Sequence, residues 1–231
     1  MKKVLTISIM IFGLLSLESQ AQKEVGATIQ DFHKSFQMSR NEFTTASELD
    51  YDGTPYMNDE FLPGRIFTPD NVQYVGVDIR YNIYEDNFEF NKDGVAMALD
   101  KSSRWPKFIV NDQVFEYKHY SYKSASTRGY LETLVDGTYS FYLKHTVVLK
   151  EAEEPGAYSE ATKAWFYSIR PETMVGRNGK DIIKISNIKD LYKFFPETEE
   201  MLSGYSGGKR IKLKNNEDYI KVIEYLNSKE D

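Results

Sequence analysis

The 231-residue chain has no cysteine, three histidines, two tryptophans and seven prolines. Without cysteine there is no disulfide framework, no thiol nucleophile and no attachment point for a lipid beside a cleaved leader. A chain of this length can nonetheless bury enough apolar surface to stand on its core alone. Positive charge is also in short supply, with 29 Lys and Arg against 35 Asp and Glu, a formal net charge of −6. Nucleic acid needs a clustered basic face, and scattered, outnumbered cations do not provide one. The same balance excludes docking on anionic lipid by charge alone. Apolar runs of membrane-spanning length are missing too, since the longest, Val4 to Leu17, has about 14 residues where a span needs about 20.

That run follows Lys2 and Lys3 and precedes Ser19-Gln20-Ala21, a small-x-small pattern suited to a signal peptidase. Residues 1–21 are therefore expected to be a signal peptide cut before Gln22, and the mature protein to be exported, periplasmic or secreted, with no membrane span after cleavage. Residues 22–52 read as a polar arm, loosely attached, with a short helical pattern in Ile29, Phe32 and Phe36.

From residue 53 to 231 the pattern is that of one domain. Short β-branched and aromatic runs alternate with Pro69-Asp70-Asn71, Glu85-Asp86-Asn87, Asn91-Lys92-Asp93-Gly94, Asn111-Asp112 and Asp136-Gly137, which are hairpin turns by composition. Phe141, Leu143, His145, Val147 and Leu149 fall on one face of a long strand, and two weaker strands are expected at Ala164–Ile169 and Asp181–Ile185. Helical spacing appears in residues 187–203, capped by Asn187, and in residues 216–227, striped by Tyr219, Ile220, Ile223 and Leu226. The expected fold class is α+β: an antiparallel β-sheet meander, open or curved toward a barrel, with C-terminal helices.

The stretch from Gly53 through Thr54-Pro55-Tyr56-Met57-Asn58-Asp59-Glu60-Phe61, then Gly64, Arg80-Tyr81-Asn82-Ile83-Tyr84 and Glu89-Phe90, resembles a group of exported Bacteroidetes proteins without an assigned activity. Leu191-Tyr192-Lys193-Phe194-Phe195-Pro196 and Glu224-Tyr225-Leu226-Asn227 are similar to that group as well. The resemblance implies export and a single domain, and it implies no catalytic residue.

Local patterns for chemistry are weak. Glu48, Asp50, Asp52 and Asp59 approximate calcium-loop spacing, but Glu48 stands at the usual first aspartate and Pro55 stiffens the turn, so a capped, solvated turn is the better reading. His119 and His145, on separate expected strands that could approach each other with Glu116 or Glu132 nearby, lack a fixed third zinc ligand. Gly204 to Arg210 lacks the strand and the Lys-Ser/Thr ending of a phosphate loop. No Gly-x-Ser-x-Gly elbow occurs. The sequence assigns no catalytic, cofactor-binding or metal residue.

Aromatics are the one excess, 17 Tyr and 14 Phe. Tyrosines crowd the central hairpins, and amphipathic rings on a sheet either stack on sugars and anchor partners or fill half-buried strand positions. Tyr120, Tyr122, Tyr130 and Tyr142 are the expected interaction surface, for an envelope protein or a glycan. The expectation is a non-catalytic exported protein acting through a surface interaction, the alternatives being a carrier of an apolar ligand in a curved sheet and a hydrolase.

Overall fold

The computed structural model describes residues 27, 29–37, 51–122, 125–155, 161–178, 180–207 and 210–230. The expected signal peptide and most of the expected arm lie outside these residues. Within them, α1 (Ile29–Gln37) precedes β1 (Tyr51–Asp52), β2 (Leu62–Phe67), β3 (Gln73–Asn82), β4 (Asn87–Lys92) and β5 (Val95–Ala98). There follow β6 (Lys107–Val110), β7 (Gln113–Tyr122), β8 (Ala125–Val135), β9 (Tyr139–Lys150), β10 (Ala164–Arg177) and β11 (Ile182–Lys184), then α2 (Ile188–Phe194), α3 (Glu197–Met201) and α4 (Asn216–Asn227).

All five turn sequences join antiparallel neighbours. Asn111 and Asp112, at φ 49° and 62°, form the two-residue left-handed turn that matches the twist of a hairpin, and Asp93-Gly94 repeats the device. The sheet runs β1-β10-β9-β8-β7-β6-β2-β3-β4-β5. Its body is the expected antiparallel meander. Two parallel pairings make it mixed, β1 with β10 and β11 with β7. Because β11 also pairs antiparallel with β10, hydrogen bonding closes a ring through β7, β8, β9, β10 and β11. One residue from each of these strands fills it: Tyr120, Leu131, Tyr142, Met174 and Ile182.

A larger core lies over the other half of the sheet, where Phe88 and Phe108 stack at 3.8 Å and Tyr81, Phe90, Trp105, Phe115 and Tyr130 surround them. The expectation of a loose arm fails at its helix. Phe32 is fully buried, edge-on to Phe90 at 4.9 Å and Tyr74 at 5.3 Å, because an aromatic ring of this size gains more from a core than from water.

The C-terminal helices cover the opposite face of β9 and β10, with Phe141 stacked on Tyr219 at 5.2 Å. Asn187 and Asn215 cap α2 and α4. The expected helix over 187–203 divides at Phe195 and Pro196, since proline disfavours helical backbone in the residue before it. Strand β10 continues to Arg177, well past the expected end at Ile169, across a bulge at Arg170 and Pro171.

Candidate interaction surface

The structure places three of the four expected surface tyrosines inside. Tyr120 and Tyr142 are within the five-strand ring, and Tyr122 packs partly buried against the same cluster. Tyr130 is 1% exposed, and its hydroxyl donates to the Trp105 carbonyl at 2.9 Å. Burial pushes the phenols of Tyr120, Tyr130 and Tyr142 above their ordinary range. Tyr130 packs into the main core and Tyr120 and Tyr142 into the ring cluster, so these three rings do not face a partner.

The other candidates resolve into local pairings. His145 meets Glu132 at 2.6 Å and Gln113 donates to the second oxygen of the same carboxylate, while His119 is beside Ser126 at 3.0 Å. Burial raises the Glu132 carboxyl, but the bonds from His145 and Gln113 outweigh it and hold the group below its usual range. Among the described residues no three of His, Asp and Glu converge as a metal site would need. In the calcium-like segment, Thr54 donates to Asp59 and accepts from the Tyr56 amide, the arrangement of a capped turn. Glu48, Asp50, Gly208 and Lys209 lie outside the described residues.

One half-buried charge pair has a structural task. β8 and β9 pair as far as Glu132 and Leu143 and then part. In the fork, the Tyr130 amide donates to Asp86, the Tyr130 carbonyl accepts from Lys144 at 3.2 Å, and Lys144 reaches Asp86 at 2.7 Å. The side chains replace the missing strand.

Beyond the fork, β9 and β10 run on as a ribbon whose inner face carries Val147, Leu149 and Phe166 against the main core. Its outer face carries Trp165, Tyr167 and Ile169, exposed by 40, 39 and 45%. Strand periodicity puts these three in one row, with Trp165 and Tyr167 ring centroids 4.8 Å apart and tilted by 36°. Register sets Lys150 beside Trp165 on β9 and Asp52 beside it on β1, Val148 beside Tyr167, and Thr146 beside Ile169.

Scans against protein-family models, curated proteins and solved structures find no match to the chain.

The row on β10 is thus read from its own physics. In a half-covered strand the greasier side normally meets the core, yet here Phe166 faces inward and the larger apolar set faces water. Alternation within Ala164–Ile169 marks these three residues as sharing a face. Phe166 is the inward residue, clamped by Tyr51 at 4.7 Å and Tyr84 at 5.1 Å.

Gly53 makes this possible. At φ +76° it lets the chain turn away from β10 just after β1, and a side chain there would stand 2.2 Å from the Phe166 carbonyl. The next residues lock onto β3: Arg80 lies 3.6 Å over the Tyr56 ring and 4.4 Å from that of Phe61, donating to Glu89 and to the Asp59 carbonyl. Burial, aided by Glu89, pushes the Tyr56 phenol up to about 12.

Proposed function

We propose that this is a non-catalytic exported protein that acts through a surface interaction in the cell envelope, made by the outer face of β10. The observation that carries the reading is the exposed row of Trp165, Tyr167 and Ile169 on a strand whose smaller apolar side is the buried one. Contiguous exposed apolar surface is disfavoured in water and marks places where something else binds. The signal-like N-terminal pattern, Lys2 and Lys3 before the apolar run and Ser19-Gln20-Ala21 after it, supports export. The ring interior, occupied by Tyr120, Leu131, Tyr142, Met174 and Ile182, supports a surface role over an enclosed ligand.

The test is retention of the purified chain on an envelope fraction from the cells that produce it. Replacing both Trp165 and Tyr167 with alanine should reduce retention at least tenfold. Val95→Ala, at an exposed apolar residue on β5, should leave it unchanged. Equal retention of all three proteins would refute the assignment.

A further inference from the structure

We infer that the ligand of the β10 face is a glycan, stacked on Trp165 and Tyr167; this rests on the surface reading just given. Size is the first argument. At exposures of 40, 39 and 45%, Trp165, Tyr167 and Ile169 offer on the order of 250 Å², against the ~800 Å² that each side of a stable protein interface buries. A patch that small is short for a folded partner and matches one or two sugar rings.

Chemistry is the second. Pyranose rings present faces of C–H bonds whose partial positive charge complements the negative face of an aromatic ring. The two rings pack against each other, 4.8 Å apart and tilted by 36°, and their exposed outer surfaces are what a sugar ring would cover. A sugar seated there needs hydrogen-bonding groups at its rim. Register supplies them on either side of Trp165, the Asp52 carboxylate on β1 and the Lys150 ammonium on β9, with the Thr146 hydroxyl two rows along. Asp52 and Lys150, with Glu153 beside Lys150, present acceptors and donors together, which suits hydroxyls that both donate and accept.

Burial is the third. Asp52 and Lys150 are themselves exposed, and Lys150 meets Glu153 at 3.1 Å in an exposed pair. Both can turn to a ligand without uncovering a buried charge.

The chain carries its own probe, since Trp105 is 1% exposed and Trp165 is the surface indole. The experiment uses envelope material that has been digested with protease and extracted with organic solvent, so that polysaccharide remains. The full chain should still be retained, its tryptophan emission should shift to shorter wavelength, and the Trp165→Ala/Tyr167→Ala protein should show neither effect. Retention on untreated envelope that vanishes after protease digestion would overturn the glycan in favour of a protein partner and leave the surface assignment standing. Retention lost on solvent extraction alone would overturn it in favour of lipid. Retention on untreated envelope that ignores both substitutions would overturn the surface and the glycan together.

Discussion

The Lys144 ammonium and the Asp86 carboxylate meet 2.7 Å apart where β8 and β9 separate, and together they satisfy both backbone groups of Tyr130. Asp86 reaches this point from the β3–β4 turn, in a left-handed conformation at φ 54°, and also accepts from the Tyr81 hydroxyl at 2.6 Å. A pair largely withdrawn from water gains little over an apolar replacement, but losing one partner leaves the other uncompensated. The pair thus specifies where the sheet forks and sends the β9–β10 ribbon out to carry the aromatic row.

Asp86→Ala strands the Lys144 charge, the Tyr81 hydroxyl and the Tyr130 amide at once. The expected loss is about 3–5 kcal/mol of unfolding free energy, measured by urea denaturation. Gly129→Ala should act in the same direction while keeping both charged residues, because its methyl would stand 2.2 Å from the Asp86 carboxylate and push it from its place. A silent Gly129 substitution beside a damaging Asp86 one would show that the fork is not closed as described.

Alkaline pH attacks the same region. Burial pushes the Tyr81 phenol well above its ordinary 10.0, with Asp86 adding to the effect, and Tyr130 shifts the same way for the same first reason. A phenol whose ionisation is raised by folding stabilises the fold fully below pH 10, its unfolded value. That contribution is lost as pH rises from there toward the folded value. Tyrosinate absorbance should therefore rise together with loss of near-ultraviolet circular dichroism, and Tyr81→Phe should flatten the alkaline loss. Ionisation of the buried tyrosines without unfolding would contradict the packing.

Much of the fold was legible in short-range chemistry. The turn residues placed all five hairpins because left-handed backbone at Asn111, Asp112, Asp93 and Gly94 depends on neighbours in sequence, and Asn187 marked its helix because a cap is local. The two parallel pairings were not legible, since they join segments remote in sequence, β11 to β7 and β1 to β10, with no local turn to mark them. Nor was the surface. Tyrosine on a strand looks alike whether its second face is wet or covered, and coverage of Tyr130 comes from Trp105 and Phe88, remote in the chain.

That difference is measurable with two conservative substitutions. Tyr130→Phe removes a buried hydroxyl bonded to the Trp105 carbonyl, and should lower stability by about 1–2 kcal/mol while leaving envelope retention intact. Tyr167→Phe, at an exposed ring, should change stability by less than about 0.5 kcal/mol. The opposite ranking in a thermal denaturation series would return the binding surface to the central hairpins.

An exposed apolar row on an outer strand also invites self-association, and β10 carries a guard against it. Between β1, which pairs to Trp165, and β11, which pairs from Met174, no described strand covers its outer edge over Tyr167 to Glu172. Pro171 lies in that gap, inside the bulge, where it has no N–H to offer an incoming strand and breaks the flat register that edge pairing needs. Arg170 adds a charge there, anchored to the Lys214 carbonyl at 3.2 Å. Pro171→Val restores a donor and a β-branched side chain beside Tyr167 and Ile169. It should raise concentration-dependent light scattering, and adding Trp165→Ala and Tyr167→Ala should reverse the rise. If scattering rises equally with the aromatic rings removed, the edge aggregates through its backbone alone and the row is not the adhesive element.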